Sequence, residues 1–90
     1  MNFEWDEAKA STNLKKHGIS FVLSRSVFDD PNKLDDLDDV IDYGEERWII
    51  TGLAELQLLT VVYTLRRGII RIISARRATR HEEQDYYQQT

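Results

Sequence analysis

Cysteine is absent from the 90 residues, so disulfides and thiolate metal sites are excluded. Histidine is scarce. His17 and His81 show no His-x-x-x-His spacing, so no zinc site is expected, and no cofactor is called for. One proline and four glycines are too few for a linker or low-complexity segment. No apolar run approaches the roughly 20 residues that span a bilayer. Met1 to Glu7 lacks the basic and apolar stretches of a signal peptide. These absences lead to the expectation of one cytosolic domain, residues 1–90, with a core small enough to gain from partners.

What is present is unevenly placed. Hydrophobic residues make up 41% and charged residues 31%, an ordinary globular balance, with a formal net charge of −4. From Asp29 to Glu46 nine acids stand against Lys33 alone. From Arg66 to Arg80 there are six arginines and no acid. For a polyanion the local patch outweighs net charge, because salt screens charges beyond about 8–10 Å. The chain therefore reads as electrically two-sided, organised around the cationic stretch Tyr63–Glu82.

In chain order, Phe3-Glu4-Trp5 reads as a short edge strand. Asp6 is placed to cap a helix that runs to about Lys16-His17 and stops at Gly18. Its apolar face is weak: Ala8, Ala10 and Leu14. Ser20 caps a second helix, Phe21 to about Phe28, ended by Asp29-Asp30-Pro31. Leu34 to Ile41 suits a helical period, but its aspartates favour a loop leading to a short strand near Val40–Tyr43, with a turn from Gly44. Strands follow at Arg47–Ala54, Leu58–Leu65 and Ile69–Ile73, joined at Ala54–Gln57 and at Arg66–Gly68. Ser74 reads as the N-cap of a last helix, Ala75 to about Tyr87. The order β-α-α-β-β-β(-β)-α describes an α+β fold, a twisted antiparallel sheet with helices mainly on one side.

Strand alternation gives each strand one apolar parity. If those parities face the helices, Arg47, Thr51, Thr60, Thr64, Arg66 and Arg71 share a more open side, unless a bulge intervenes. Such a face suits a phosphodiester backbone, since guanidinium groups bind phosphate bidentately and stay charged. RNA cleavage by its own 2′-hydroxyl then needs a base, an acid and cations for the extra negative charge. His17, His81 and Glu82 are available for proton transfer, and the arginines for charge. Plainer readings stand beside these. His17 favours a helix C-terminus, His81 sits among surface glutamates, Arg47 pairs with Glu45 or Glu46, and the aspartates form a solvated loop. Arg71, between isoleucines, is harder to set aside: it needs an anion or an opposed carboxylate.

Seven segments in order resemble one family. They are Phe3-Glu-Trp-Asp-Glu-x-Lys9, Asn13-Leu-Lys-Lys-His-Gly-Ile-Ser-Phe21, Val27-Phe-Asp-Asp-Pro31, Asp42-Tyr-Gly-Glu-Glu-Arg-Trp48, Ile50-Thr-Gly52, Val61-Val-Tyr-Thr64 and Ile70-Arg-Ile-Ile-Ser-Ala-Arg-Arg-Ala-Thr-Arg-x-Glu82…Tyr86. Together they resemble the BrnT toxins. The resemblance implies a type II toxin–antitoxin module, a RelE-like fold, and a ribonuclease that halts translation. It also implies neutralisation by a BrnA-type antitoxin that carries the DNA-binding domain, in a complex of two toxins and two antitoxins. Carried onto this chain, the candidate catalytic residues are Arg66, Arg71, Arg76, His17 and Glu82, with Arg47, Arg77 and Arg80 as RNA-binding candidates and no metal. The Ala54–Gln57 turn departs from the family pattern, and Glu82 and Glu83 dilute the positive surface. That dilution keeps an alternative open: a non-catalytic member whose basic face binds an acidic partner. A third reading, a DNA-binding regulator by itself, is weakened by the lack of a clear helix-turn-helix pattern.

Overall fold

The carboxylate of Asp6 accepts the N–H groups of Ala8 and Lys9 at 2.8 and 3.2 Å, and the chain becomes helical there. The helix stops where the Gly18 N–H returns to Leu14 O at 2.9 Å, with Gly18 at φ 70°. Both ends fall where the sequence puts them. A computed structural model describes residues 1–37 and 45–89. Its elements are β1 (Phe3–Glu4), α1 (Glu7–His17), α2 (Phe21–Ser24), β2 (Leu34–Leu37), β3 (Trp48–Ala54), β4 (Gln57–Arg66), β5 (Ile69–Arg77) and α3 (Arg80–Gln88). A 3-10 turn, Arg25–Asp29, continues α2, so the expected second helix is present but tightens halfway.

The strands form one sheet in the order β1-β5-β4-β3-β2. β2 to β5 are antiparallel neighbours in sequence order, while β1 lies parallel to β5 with Phe3 opposite Ile70. The loop Arg67-Gly68 joins β4 to β5 with both residues at positive φ, 54° and 78°, which suits the twist of a two-residue hairpin. Ile50, Leu59, Val61, Tyr63, Ile70, Ile72 and Ala75 are buried on one face, beneath Phe21, Val27 and Phe28 of the α2 segment. Gly52 lets that segment approach: a Cβ there would meet Val27 Cγ1 at 3.0 Å and Asp30 Oδ2 at 3.2 Å.

Four expectations are corrected. The last helix begins at Arg80, not Ala75, because β5 stays paired as far as Arg77 opposite Leu59. Its cap is Thr79, in a reciprocal capping box with Glu82, and not Ser74. Leu34–Leu37 is a strand paired with Trp48–Thr51; the strand expected near Val40–Tyr43 and the turn from Gly44 lie outside the described residues. Of the weak apolar face expected on helix α1, only Ala10 packs against the core; Ala8 is exposed and Leu14 is 52% exposed. Asn13 supplies the polar hold beside it. That buried carboxamide donates to Ile19 O at 2.9 Å and Ala75 O at 2.8 Å, and accepts the Ala75 N–H at 3.1 Å.

Candidate functional site

Between β4 and β5 the register slips once. Val62 faces Ser74, but Tyr63 faces Ile72, leaving Ile73 as an extra residue. Simple alternation would put Arg71 and Arg76 on opposite faces. The bulge puts Arg71, Ser74 and Arg76 on one face, opposite Thr64, Val62 and Thr60. The two pairings lie four residue steps apart on β4, so the arginines stand about 13 Å apart along the strand.

This face is not the bare sheet that alternation alone suggests. Thr60 is 1% and Thr64 2% exposed, and Thr51 is also buried. The Thr64 hydroxyl donates to Glu46 O at 2.7 Å. Thr51 and Thr60 hydroxyls meet at 3.0 Å, and Thr60 donates to Glu82 Oε1 at 2.9 Å. Helix α3 therefore lies across the face that α1 and α2 do not cover. Its Tyr86 hydroxyl donates to Asp30 Oδ2, which also accepts the Leu53 N–H at 2.8 Å. Burial pushes the Tyr86 phenol up to about 12, helped by the Asp30 carboxylate.

The three arginines expected to act on phosphate each meet a carboxylate. Arg76 makes a fork onto Glu82, Nη1 to Oε1 at 2.8 Å and Nη2 to Oε2 at 3.1 Å. Arg71 Nη1 donates to Glu4 Oε2 at 2.5 Å, from directly across the β1–β5 pairing. Arg66, at the exposed end of β4, reaches Glu45 at 3.1 Å. Burial alone would raise the Glu82 carboxyl. Hydrogen bonds from Arg76, the Thr79 N–H and Thr60 outweigh it and hold the group at about 2. Glu82 is thus a fixed anion near neutral pH and a weak base while so bound.

The other candidates are dispersed. His17 closes α1 and lines a depression of about 330 Å³ with Ala8, Lys9, Thr12, Asn13, Lys16, Ile73 and Ser74. Arg47 is half-buried just ahead of β3. Arg77 is exposed but alternates onto the face opposite Arg76, and Arg80 is exposed in the first turn of α3. His81 is exposed beside Asp85 at 3.4 Å. Among the described residues, no group of three His, Asp or Glu side chains is placed to hold a metal.

Sequence reasoning passed over two parts of the site. In the Thr51–Thr60–Glu82 chain, the place of Glu82 was signalled by Thr79-x-x-Glu82, a capping-box pattern that sets the glutamate in the first turn of its helix. Asn13 was signalled by its own position, since a mid-helix asparagine is unfavourable unless its amide is used. A family model described as "Ribonuclease toxin, BrnT, of type II toxin-antitoxin system" matches residues 5–82. No curated protein matches the chain.

Proposed function

Since the chain belongs to the BrnT family of ribonuclease toxins of type II toxin–antitoxin systems, we propose that it is a metal-independent endoribonuclease working on the Arg71–Ser74–Arg76 face. The observation that carries this reading is the bulge at Ile73, which gathers two guanidinium groups onto one side of one strand. In the proposed reaction the 2′-hydroxyl attacks the adjacent phosphorus and the bond to the 5′-oxygen breaks, leaving a cyclic phosphate. Arg71 and Arg76 bind the phosphate oxygens as negative charge builds, each such contact being worth about 10²–10³ in rate. His17, whose depression is floored by Ser74 of the same sheet face, moves the proton. Glu82 acts through Arg76, holding its fork until phosphate replaces the carboxylate. Cleavage of mRNA would halt translation. A BrnA-type antitoxin, in a complex of two toxins and two antitoxins, would neutralise the toxin by covering this face and would carry the contact with DNA. The cytoplasm is the place where substrate and partner meet.

One observation favours a second reading. Arg66, Arg71 and Arg76 all have carboxylate partners within the chain, as in a non-catalytic member whose face serves only to bind an acidic partner. Induced expression of the chain and of an Arg71→Ala variant, followed by growth and RNA integrity, separates the two. Purified protein is assayed on RNA with and without EDTA. Growth arrest with EDTA-resistant cleavage, lost in Arg71→Ala, supports the nuclease. Folded protein that neither arrests growth nor cuts RNA supports the binding module.

A further inference from the structure

The cations of α1 differ from those of the sheet. Arg66, Arg71 and Arg76 are each spent on a carboxylate. Among the described residues, no ion pair and no hydrogen bond engages the side chains of Lys9, Lys16 or His17. These three line one depression, of about 330 Å³, together with Thr12, Asn13 and Ser74, and no carboxylate lines it. The helix positions 8, 9, 12, 13, 16 and 17 form a single stripe, so the lysines rise from one wall. Lys9 and Lys16 stand about 10 Å apart along the axis and reach different groups of an extended ligand. The other wall is Ile73 and Ser74, the bulge itself, which lies between Arg71 and Arg76 along β5.

An anion reaching Arg71 or Arg76 exchanges one oxyanion for another, so its net gain is small. An anion reaching Lys9 or Lys16 displaces only water and counterions. Binding free energy therefore concentrates in the groove, while the sheet arginines gain most when phosphate charge grows beyond that of a carboxylate.

We propose that the groove between α1 and β5 binds the backbone of single-stranded RNA, with Lys9 and Lys16 on separate phosphates, and leads the strand over the bulge to the arginines. The proposal rests on the nuclease reading and names its substrate path. A polyanionic chain, and not a small phosphate, is favoured because the charged groups are spread along two turns of helix and continue into the sheet face.

The test uses the full chain and a labelled 2′-O-methyl oligoribonucleotide, which binds but has no free 2′-hydroxyl to react. Affinity is measured by fluorescence anisotropy over a series of salt concentrations. The wild type, Lys9→Gln, Lys16→Gln, the double variant and Lys15→Gln are compared, the last removing an exposed charge of α1 that does not line the groove. Glutamine keeps helix propensity, and circular dichroism checks the fold. The expected result is a salt slope smaller by about 0.7 in each single variant and by about 1.4 in the double variant. Lys15→Gln should leave the slope at the wild-type value. Cleavage of unmodified RNA is measured in parallel. If the wild type cuts RNA while the double variant keeps the slope of Lys15→Gln, the groove proposal fails and the nuclease reading stands. If the wild type neither binds nor cuts, both fail. If the double variant keeps its RNA slope but loses binding to the cognate antitoxin or to polyglutamate, the groove is a protein contact and the proposal is overturned.

Discussion

On one face of β3, β4 and β5, Ile50, Leu59, Val61 and Ile72 are buried under α2 and its 3-10 continuation, with no side-chain polar atom to satisfy. On the other face Thr51, Thr60 and Thr64 are buried almost as fully, yet every hydroxyl has a hydrogen-bond partner. Burial alone does not tell these faces apart. The first holds by apolar area and close packing, which tolerate small shifts of side-chain direction. The second holds by bonds of fixed length and direction, which do not. Stability should therefore reside chiefly in the apolar face, and the aim of Arg76 in the polar one.

The comparison is sharpest in three variants. Leu59→Ala should cost about 2–5 kcal/mol in denaturant unfolding, by lost transfer free energy and an unfilled cavity. The cost should be the same at pH 3 and pH 7; a marked change between them would mean that the two faces are not separable. Glu82→Gln should cost less and should alter the pH profile. The Glu82 carboxyl is depressed to about 2 from 4.5, so between those values the unfolded chain binds more protons. Its contribution is fully present above about pH 4.5 and is lost as pH falls through about 2. The unfolding free energy should therefore rise less between about pH 2 and pH 4.5 in Glu82→Gln than in the wild type. An unchanged profile would show that the fork with Arg76 does not hold in solution. The smallest effect belongs to Arg66→Ala. Arg66 shares the polar parity of β4, but its side chain is 51% exposed and its pair with Glu45 is screened, so the cost should stay under about 1 kcal/mol. A larger loss would mean that this end of the hairpin is more tightly held than its exposure indicates.

Much of the fold was legible because its signals are local. Asp6, Gly18 and Ser20 cap where their side chains or backbone freedom direct, and Arg67-Gly68 turns as a two-residue hairpin should. The apolar parities of β3 and β4 also hold as read. The errors come from pairings between distant segments. Ser74 is as good a cap as Thr79 in isolation, and only the partnership of Arg76 and Arg77 with Thr60 and Leu59 keeps the chain extended past it. The bulge at Ile73 leaves no mark in an Ile-Ile-Arg-Ile-Ile run, yet it decides that Arg71 and Arg76 share a face. The need of Arg71 for an opposed carboxylate was readable, but naming Glu4 required the parallel pairing of β1 with β5.

Asn13 has one more consequence. A strand edge offers free N–H and C=O groups to any other chain, and repeated pairing of that kind ends in fibrils. At Ala75 both groups are taken by a single carboxamide, which stands in for the missing neighbouring strand. At the far border β2 carries Asp35 and Asp36, whose charges disfavour a second copy. Asn13 thus leaves no backbone group of Ala75 for a second copy to pair with, and it sits in the wall of the groove proposed for RNA. That border of the molecule can remain open to a polyanion and still be closed to its own kind.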